Sequence, residues 1–155
     1  MATLLSEGEV ALRLADAITR SGEGDTRSEV ADTPKGTKRF PLTSKSQILL
    51  NSIVWNLVNH HDTHAVIFSL DEPRELVLMK MFCLLKGRSS EDVEDAIKAG
   101  DKDTLSDLER AATQELSRVA IVDEAIHLDE MARVLDEARA WWGVDPNFCM
   151  IDYLE

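Results

Sequence analysis

No apolar run in this 155-residue chain approaches the ~20 residues needed to cross a bilayer, so a spanning helix is excluded. The first residues, MATLLSEGEV, have no basic flank ahead of an apolar core, and a secretory leader is not expected. Cysteine is scarce. Cys83 and Cys149 both sit inside apolar runs and are expected as buried thiols, with no disulfide framework. The expected compartment is therefore the cytoplasm. The histidines of NHHDTH (59–64) and His127 have no cysteine nearby to complete a zinc set, and they read as polar loop residues.

Basic charge is also in short supply, and unevenly so. Residues 1–63 hold eight acids against seven Lys or Arg, whereas residues 64–155 hold twenty-one against ten, a net of −11. Such a surface repels phosphate backbones, so nonspecific nucleic-acid binding by this chain alone is not expected.

What is present reads as a globular α/β chain, 44% hydrophobic and 30% charged. Residues 4–20 place Leu5, Val10, Leu12, Leu14, Ala15 and Ile18 among charges, which predicts an amphipathic helix within 1–20. Residues 21–38, SGEGDTRSEVADTPKGTK, are almost free of apolar side chains and are expected to form a flexible linker. From Arg39 the pattern changes. Three continuous apolar runs, HAVIFSLDEP (64–73), RVAIVDEA (118–125) and NFCMIDYLE (147–155), predict strands of a sheet covered on both faces, the parallel case. Between them PRELVLMKMFCLLKG predicts a buried helix closing on Gly87, and SSEDVEDAIKAG and DTLSDLERAATQELS predict two surface helices. Leu128, Met131, Leu135, Ala138 and Trp142 predict an amphipathic crossover helix, with the Met and Trp positions in the core.

Each strand ends in carboxylates: Asp71 with Glu72, Asp123 with Glu124, and Asp152. Ligands of open α/β sheets bind outside the carboxyl ends of the strands, and three acids there suit a divalent cation. Polar residues that simply begin each loop would give the same pattern. At Asp152 the apolar run continues past the acid, and enclosing a lone carboxylate is costly without a partner.

A phosphate-binding loop should precede the strand at 64–70 if this edge takes a nucleotide. In RFPLTSKSQILLNSIVWNLV, Lys45-Ser46 opens a helix, as in the end of the pattern G-x-x-x-x-G-K-[ST]. A lysine there reaches the terminal phosphates, the hydroxyl ligates Mg²⁺, and the helix amino terminus favours an anion. The two glycine positions hold Arg39 and Ser44. Ser44-Lys45-Ser46-Gln47 equally fits a capping box.

Three blocks, in order, resemble the ATPase domain of DnaB-type replicative DNA helicases, a RecA-like fold. FPLTSKSQILLN is similar to that family's phosphate loop, keeping Pro41, Lys45 and Ser46. VIFSLDEPRELVLMKMFCLLKG resembles its second strand and helix, and CMIDYLE its Walker B strand. The likeness spans residues 39–155 and implies a partial RecA-like P-loop NTPase fold, a mostly parallel sheet flanked by helices. Its implied cofactors are ATP and Mg²⁺. By position, Pro41, Ser44, Lys45 and Ser46 fall in the phosphate loop, Ser46 and Asp152 at the Mg²⁺, and Asp71 where the family has its catalytic glutamate. The family's DNA-binding loops and arginine finger follow the Walker B strand, and the sequence stops at Glu155 before them. The resemblance thus implies a helicase-family domain with impaired activity. The alternative is a non-catalytic module docking on a partner such as an intact helicase ring. Nucleotide is the implied small-molecule partner, DNA enters by family analogy, and an open edge beyond the last strand favours association with further copies or chains.

Overall fold

The computed structural model describes residues 45–152. The helix expected within 1–20, the linker expected over 21–38, and Pro41 and Ser44 lie outside the described residues.

The order of elements is α1 (Lys45–Asn59), β1 (Ala65–Ser69), α2 (Arg74–Lys86), α3 (Ser90–Lys98), α4 (Lys102–Thr113), a 3-10 turn (Leu116–Arg118), β2 (Val119–Val122), α5 (Leu128–Trp142) and β3 (Phe148–Asp152). The strands form one sheet in the order β2-β1-β3, parallel throughout. This bears out the α/β class and the parallel sheet expected from the continuous apolar runs.

β1 explains the arrangement. All five of its residues are buried because both faces of the sheet are covered at its centre. Ala65 and Ile67 face a large core built from α1 to α4, while Val66 and Phe68 face a smaller one under α5. β1 reaches β2 through helices on the first face, and β2 reaches β3, on the other side of β1, through α5 on the second. Reversing both direction and face gives the two crossovers the same hand, as parallel sheets require.

Helix ends follow local chemistry. α2 stops at Gly87, whose φ of 62° lies in the left-handed region that glycine enters without strain. Ser89 caps α3 by accepting from Asp92 N–H at 3.1 Å, and Asp101 caps α4 through Thr104 N–H at 2.9 Å. The exposed Asp101 carboxyl is held below its ordinary pKa by the hydrogen bonds from Thr104.

The carboxyl end of α1 is closed from a distance. Arg118 donates from Nη2 to Leu57 O at 2.6 Å, and from Nη1 to His60 O at 2.9 Å and Thr63 O at 3.3 Å. Its guanidinium therefore binds carbonyls of the helix end and the following turn, adding to the Thr63 N–H that His60 O already accepts. Arg118→Ala is expected to lower stability by about 2 kcal/mol, the scale of hydrogen bonds to a charged donor. Urea unfolding followed by circular dichroism measures this, and Arg118→Lys should recover only part, since an ammonium lacks the planar fork.

Two expectations are corrected. In α5 the buried stripe is Met131, Val134 and Ala138, with Leu135 and Trp142 at its margin, and Leu128 is 74% exposed. Leu128 is the first helical residue, where the chain has only just left the loop after β2. Of the two thiols, Cys83 is buried but Cys149 is exposed. Cys149 lies on the outer strand, on the face where α5 covers β1 and β2. Among the described residues no helix is long and apolar enough to cross a membrane.

Candidate functional site at the carboxyl edge of the sheet

The strand ends converge on one edge. β1 ends at Ser69, which is level with Asp152 of β3 in the parallel register. Leu70 N–H donates to Asp152 O at 2.6 Å, and so carries the ladder one step beyond the last pair. Ser69 is buried, and its hydroxyl donates to Glu72 O at 2.6 Å, bending the chain sharply into the loop 70–73. Asp71 sits exposed at the tip of that loop, two residues past the level of Asp152.

α1 enters this same edge. Its last turn joins β1 through only five residues, 60–64, so its far end, Lys45 and Ser46, lies toward the opposite, carboxyl side. Its neighbour across the sheet face is β3: Leu49, Ser52 and Ile53 border a groove against residues 148–151. Lys45 is exposed and Ser46 is half-buried. The first turn of α1 carries no acid, so no carboxylate of that turn offsets the partial positive charge of its amino end.

Two other acids of the edge are already engaged. Asp123 Oδ2 accepts from Arg74 N–H at 2.9 Å, and Oδ1 accepts from Arg74 Nε at 3.0 Å and faces Nη2 at 2.8 Å. Burial raises the Asp123 carboxyl, but the hydrogen bonds and charge of Arg74 outweigh it and leave the pKa below its ordinary value. Glu72 is paired with Lys80. Arg74 and Lys80 are the residues that sequence reasoning missed. Lys80 lies two helical turns beyond Glu72, and Arg74 is the first residue of a helix after a proline, a position from which a side chain reaches the neighbouring loop.

The three strand-end acids consequently do not act as one cluster. Among the described residues, no three His, Cys, Asp or Glu side chains converge as a metal-binding group. Asp123 anchors a helix, Asp71 is solvent-facing, and Asp152 has no ion-pair partner among the described residues. Ser46 and Asp152, the pair expected at Mg²⁺, supply a hydroxyl and a carboxylate. Both are hard oxygen donors of the kind Mg²⁺ takes alongside water and phosphate.

A cavity of about 370 Å³ opens between α1 and α2, bordered by Gln47, Lys80, Cys83, Leu84 and residues 87–90. Its two cations are both engaged. Lys80 pairs with Glu72, and Arg88 donates to Thr104 Oγ1 at 2.9 Å and Asp92 O at 3.2 Å. Burial pushes the Cys83 thiol above its ordinary pKa, so it is a poor nucleophile.

No family model, no curated protein and no solved structure matches the chain, so the likeness to the helicase ATPase domain rests on the three sequence blocks alone.

Proposed function

We propose that this chain is a DnaB-like helicase-family domain that binds Mg²⁺-nucleotide at the carboxyl edge of its sheet and hydrolyses it poorly. The observation that carries the reading is that the start of α1, with Lys45-Ser46, and the end of β3, with Asp152, both lie toward the carboxyl edge of a parallel sheet whose middle strand leads to Asp71. Lys45 would hold the terminal phosphates. Ser46 and Asp152 would hold Mg²⁺, which neutralises phosphate charge when bound. Asp71 would stand where the family's glutamate orients water. It is one methylene shorter, which places its oxygens ~1.5 Å farther away when proton transfer needs heavy atoms within about 3 Å. DNA contact would fall to a partner, because the surface from residue 64 onward is strongly acidic.

A titration of the full chain with a fluorescent ATP analogue in Mg²⁺ tests this. Saturable binding is expected, weakened at least about tenfold by Lys45→Ala and by chelating the metal. Lys45 is exposed at a helix start, so its removal leaves the core untouched. Absence of binding at millimolar nucleotide selects the second reading, a non-catalytic docking module. The observation favouring that reading is the outer side of α1, where Ile48, Trp55 and Val58 are each more than half exposed.

A further inference from the structure

α1 is the one helix among the described residues that carries no Asp or Glu, and its single charge is Lys45. Leu50, Ile53, Val54 and Leu57 pack inward, yet the opposite side is largely apolar as well. At ~100° per residue Ile48, Ser52 and Trp55 share one stripe there. Ile48 and Trp55 are each 58% exposed, and Val58 and Leu49 flank them. The other large apolar side chains exposed among the described residues, Leu76, Leu128, Trp141 and Val144, are spread over α2, α5 and the loop after α5. α1 thus presents an uncharged, apolar face on a chain whose net charge is −12.

The sequence that leads into α1 carries a matching pattern. In helical geometry Glu9, Arg13, Asp16 and Arg20 fall within an arc of about 60°, and Ala11, Leu14, Ala15 and Ile18 lie opposite them. A helix of that pattern has an apolar side to bury, and residues 21–38 offer no apolar run against which to bury it. Over residues 4–20 it would be about 25 Å long, close to the length of about 22 Å for α1.

We propose that residues 4–20 form a helix that lies along the outer side of α1, with Leu14 and Ile18 against Ile48, Ser52 and Trp55. Covalent connection selects this occupant first. Residues 21–44 join the segment to Lys45, the first residue of α1, and fully extended they reach about 80 Å, so the whole face is within their span. A segment tethered in this way meets its site at about millimolar effective concentration, well above that of a second copy at micromolar levels. Spacing selects it next. Both stripes recur at three and four residues, the repeat that lets two helices interlock at a shallow angle. Charge agrees. On α3, α4 or α5 the acids Glu7, Glu9 and Asp16 would meet further carboxylates, whereas on α1 they meet none. The chain thereby covers its own exposed apolar helix with its amino-terminal segment.

Hydroxyl-radical labelling of the full chain, read by mass spectrometry, tests the contact at Trp55. Labelling of Trp55 should rise at least about threefold when Leu14 and Ile18 are both replaced by Glu, while that of Trp141 stays constant. Amide exchange across residues 10–20 should run at least about tenfold slower than in an unstructured chain, equally at low and high protein concentration. Ile48→Glu combined with Trp55→Glu, both at exposed positions, should abolish that slowing, and Leu128→Glu should leave it unchanged. Equal labelling of Trp55 with and without Leu14 and Ile18, or unstructured exchange rates over residues 10–20, would overturn the contact. Shielding of Trp55 that fades on dilution would assign the face to a second copy. Slowing over residues 10–20 that survives both α1 substitutions would place the segment elsewhere. Either result overturns the proposal equally.

Discussion

Asp123→Ala is expected to destabilise the chain by about 3 kcal/mol, the lower end of what removing one partner of a buried ion pair costs. The lower end applies because Arg74 and Asp123 side chains keep 17% and 16% of their exposure, which screens the charge left behind. Two losses combine. α2 begins after Pro73, which offers no side-chain cap, so its first amide, Arg74 N–H, is satisfied instead by a carboxylate 49 residues away. The same carboxylate holds the guanidinium that would otherwise be left half-buried and unpaired. Asp123→Asn retains an oxygen acceptor and loses the charge, so it should cost roughly half as much.

The pH dependence of this pair is fixed in sign by the downward shift at Asp123. Because the folded carboxyl titrates below the unfolded one, the stability it contributes is complete above about pH 3.9, the unfolded value. It disappears as the pH falls through the lower folded value. Urea unfolding of the wild type and Asp123→Asn at neutral pH and at successively lower pH below about 3.9 measures this, and the gap between them should narrow as the acid deepens. An unchanged gap would show that the hydrogen bonds, not the charge, carry the contribution.

Asp123 also marks where the sequence stopped being readable. That it ends a strand is visible in RVAIVDEA, because a continuous apolar run gives way to acids. That its partner is Arg74 depends on β2 lying beside β1 in register, a relation between residues far apart in the chain. Arg118 is opaque for the same reason: its three acceptors lie 55 to 61 residues earlier. Gly87, by contrast, is legible locally, since an apolar helix followed by lysine and glycine carries its own stop signal. α1 is the intermediate case. Its existence is plain from Lys45 onward, but it is apolar nearly all round, and the pattern cannot distinguish Leu50, which is buried, from Leu49 beside it. The candidate site divides similarly. The residue types at Lys45, Ser46, Asp71 and Asp152 are visible in the sequence. The ion pair that takes up Asp123 depends on β2 lying beside β1, and that of Glu72 on the turn that carries the chain into α2.

Phe68→Ala is expected to cost about 3–5 kcal/mol, the range for deleting a fully buried phenyl group, and to do so unevenly across the molecule. Phe68 is wholly buried on β1 and points to the face covered by α5, where the buried cluster holds Val66, Ala120, Val122, Met131, Val134 and Ala138. Apart from Phe68 and Met131, every member is a valine or alanine. These are too small to refill the cavity, so relaxation must come from the larger side chains at its margin, Ile126, Leu135, Trp142 and Ile151. The layer rests on a single helix, whose Leu135 and Trp142 pack at the margin and whose Trp142 Nε1 donates to Ser117 O at 3.1 Å. Phe82→Ala removes an equally buried ring from the opposite core, which four helices share and where flexible Met79 and Met81 lie in the same cluster. The two variants should therefore differ in where the chain opens. Amide exchange across α5 should quicken at least about tenfold in Phe68→Ala before global unfolding, and far less in Phe82→Ala, when both are compared at matched overall stability. Equal acceleration of α5 in the two variants would mean that the layers unfold as one unit. Since α5 leads directly into β3, its early release in Phe68→Ala would also loosen the strand that carries Asp152, so the proposed nucleotide binding should weaken with it.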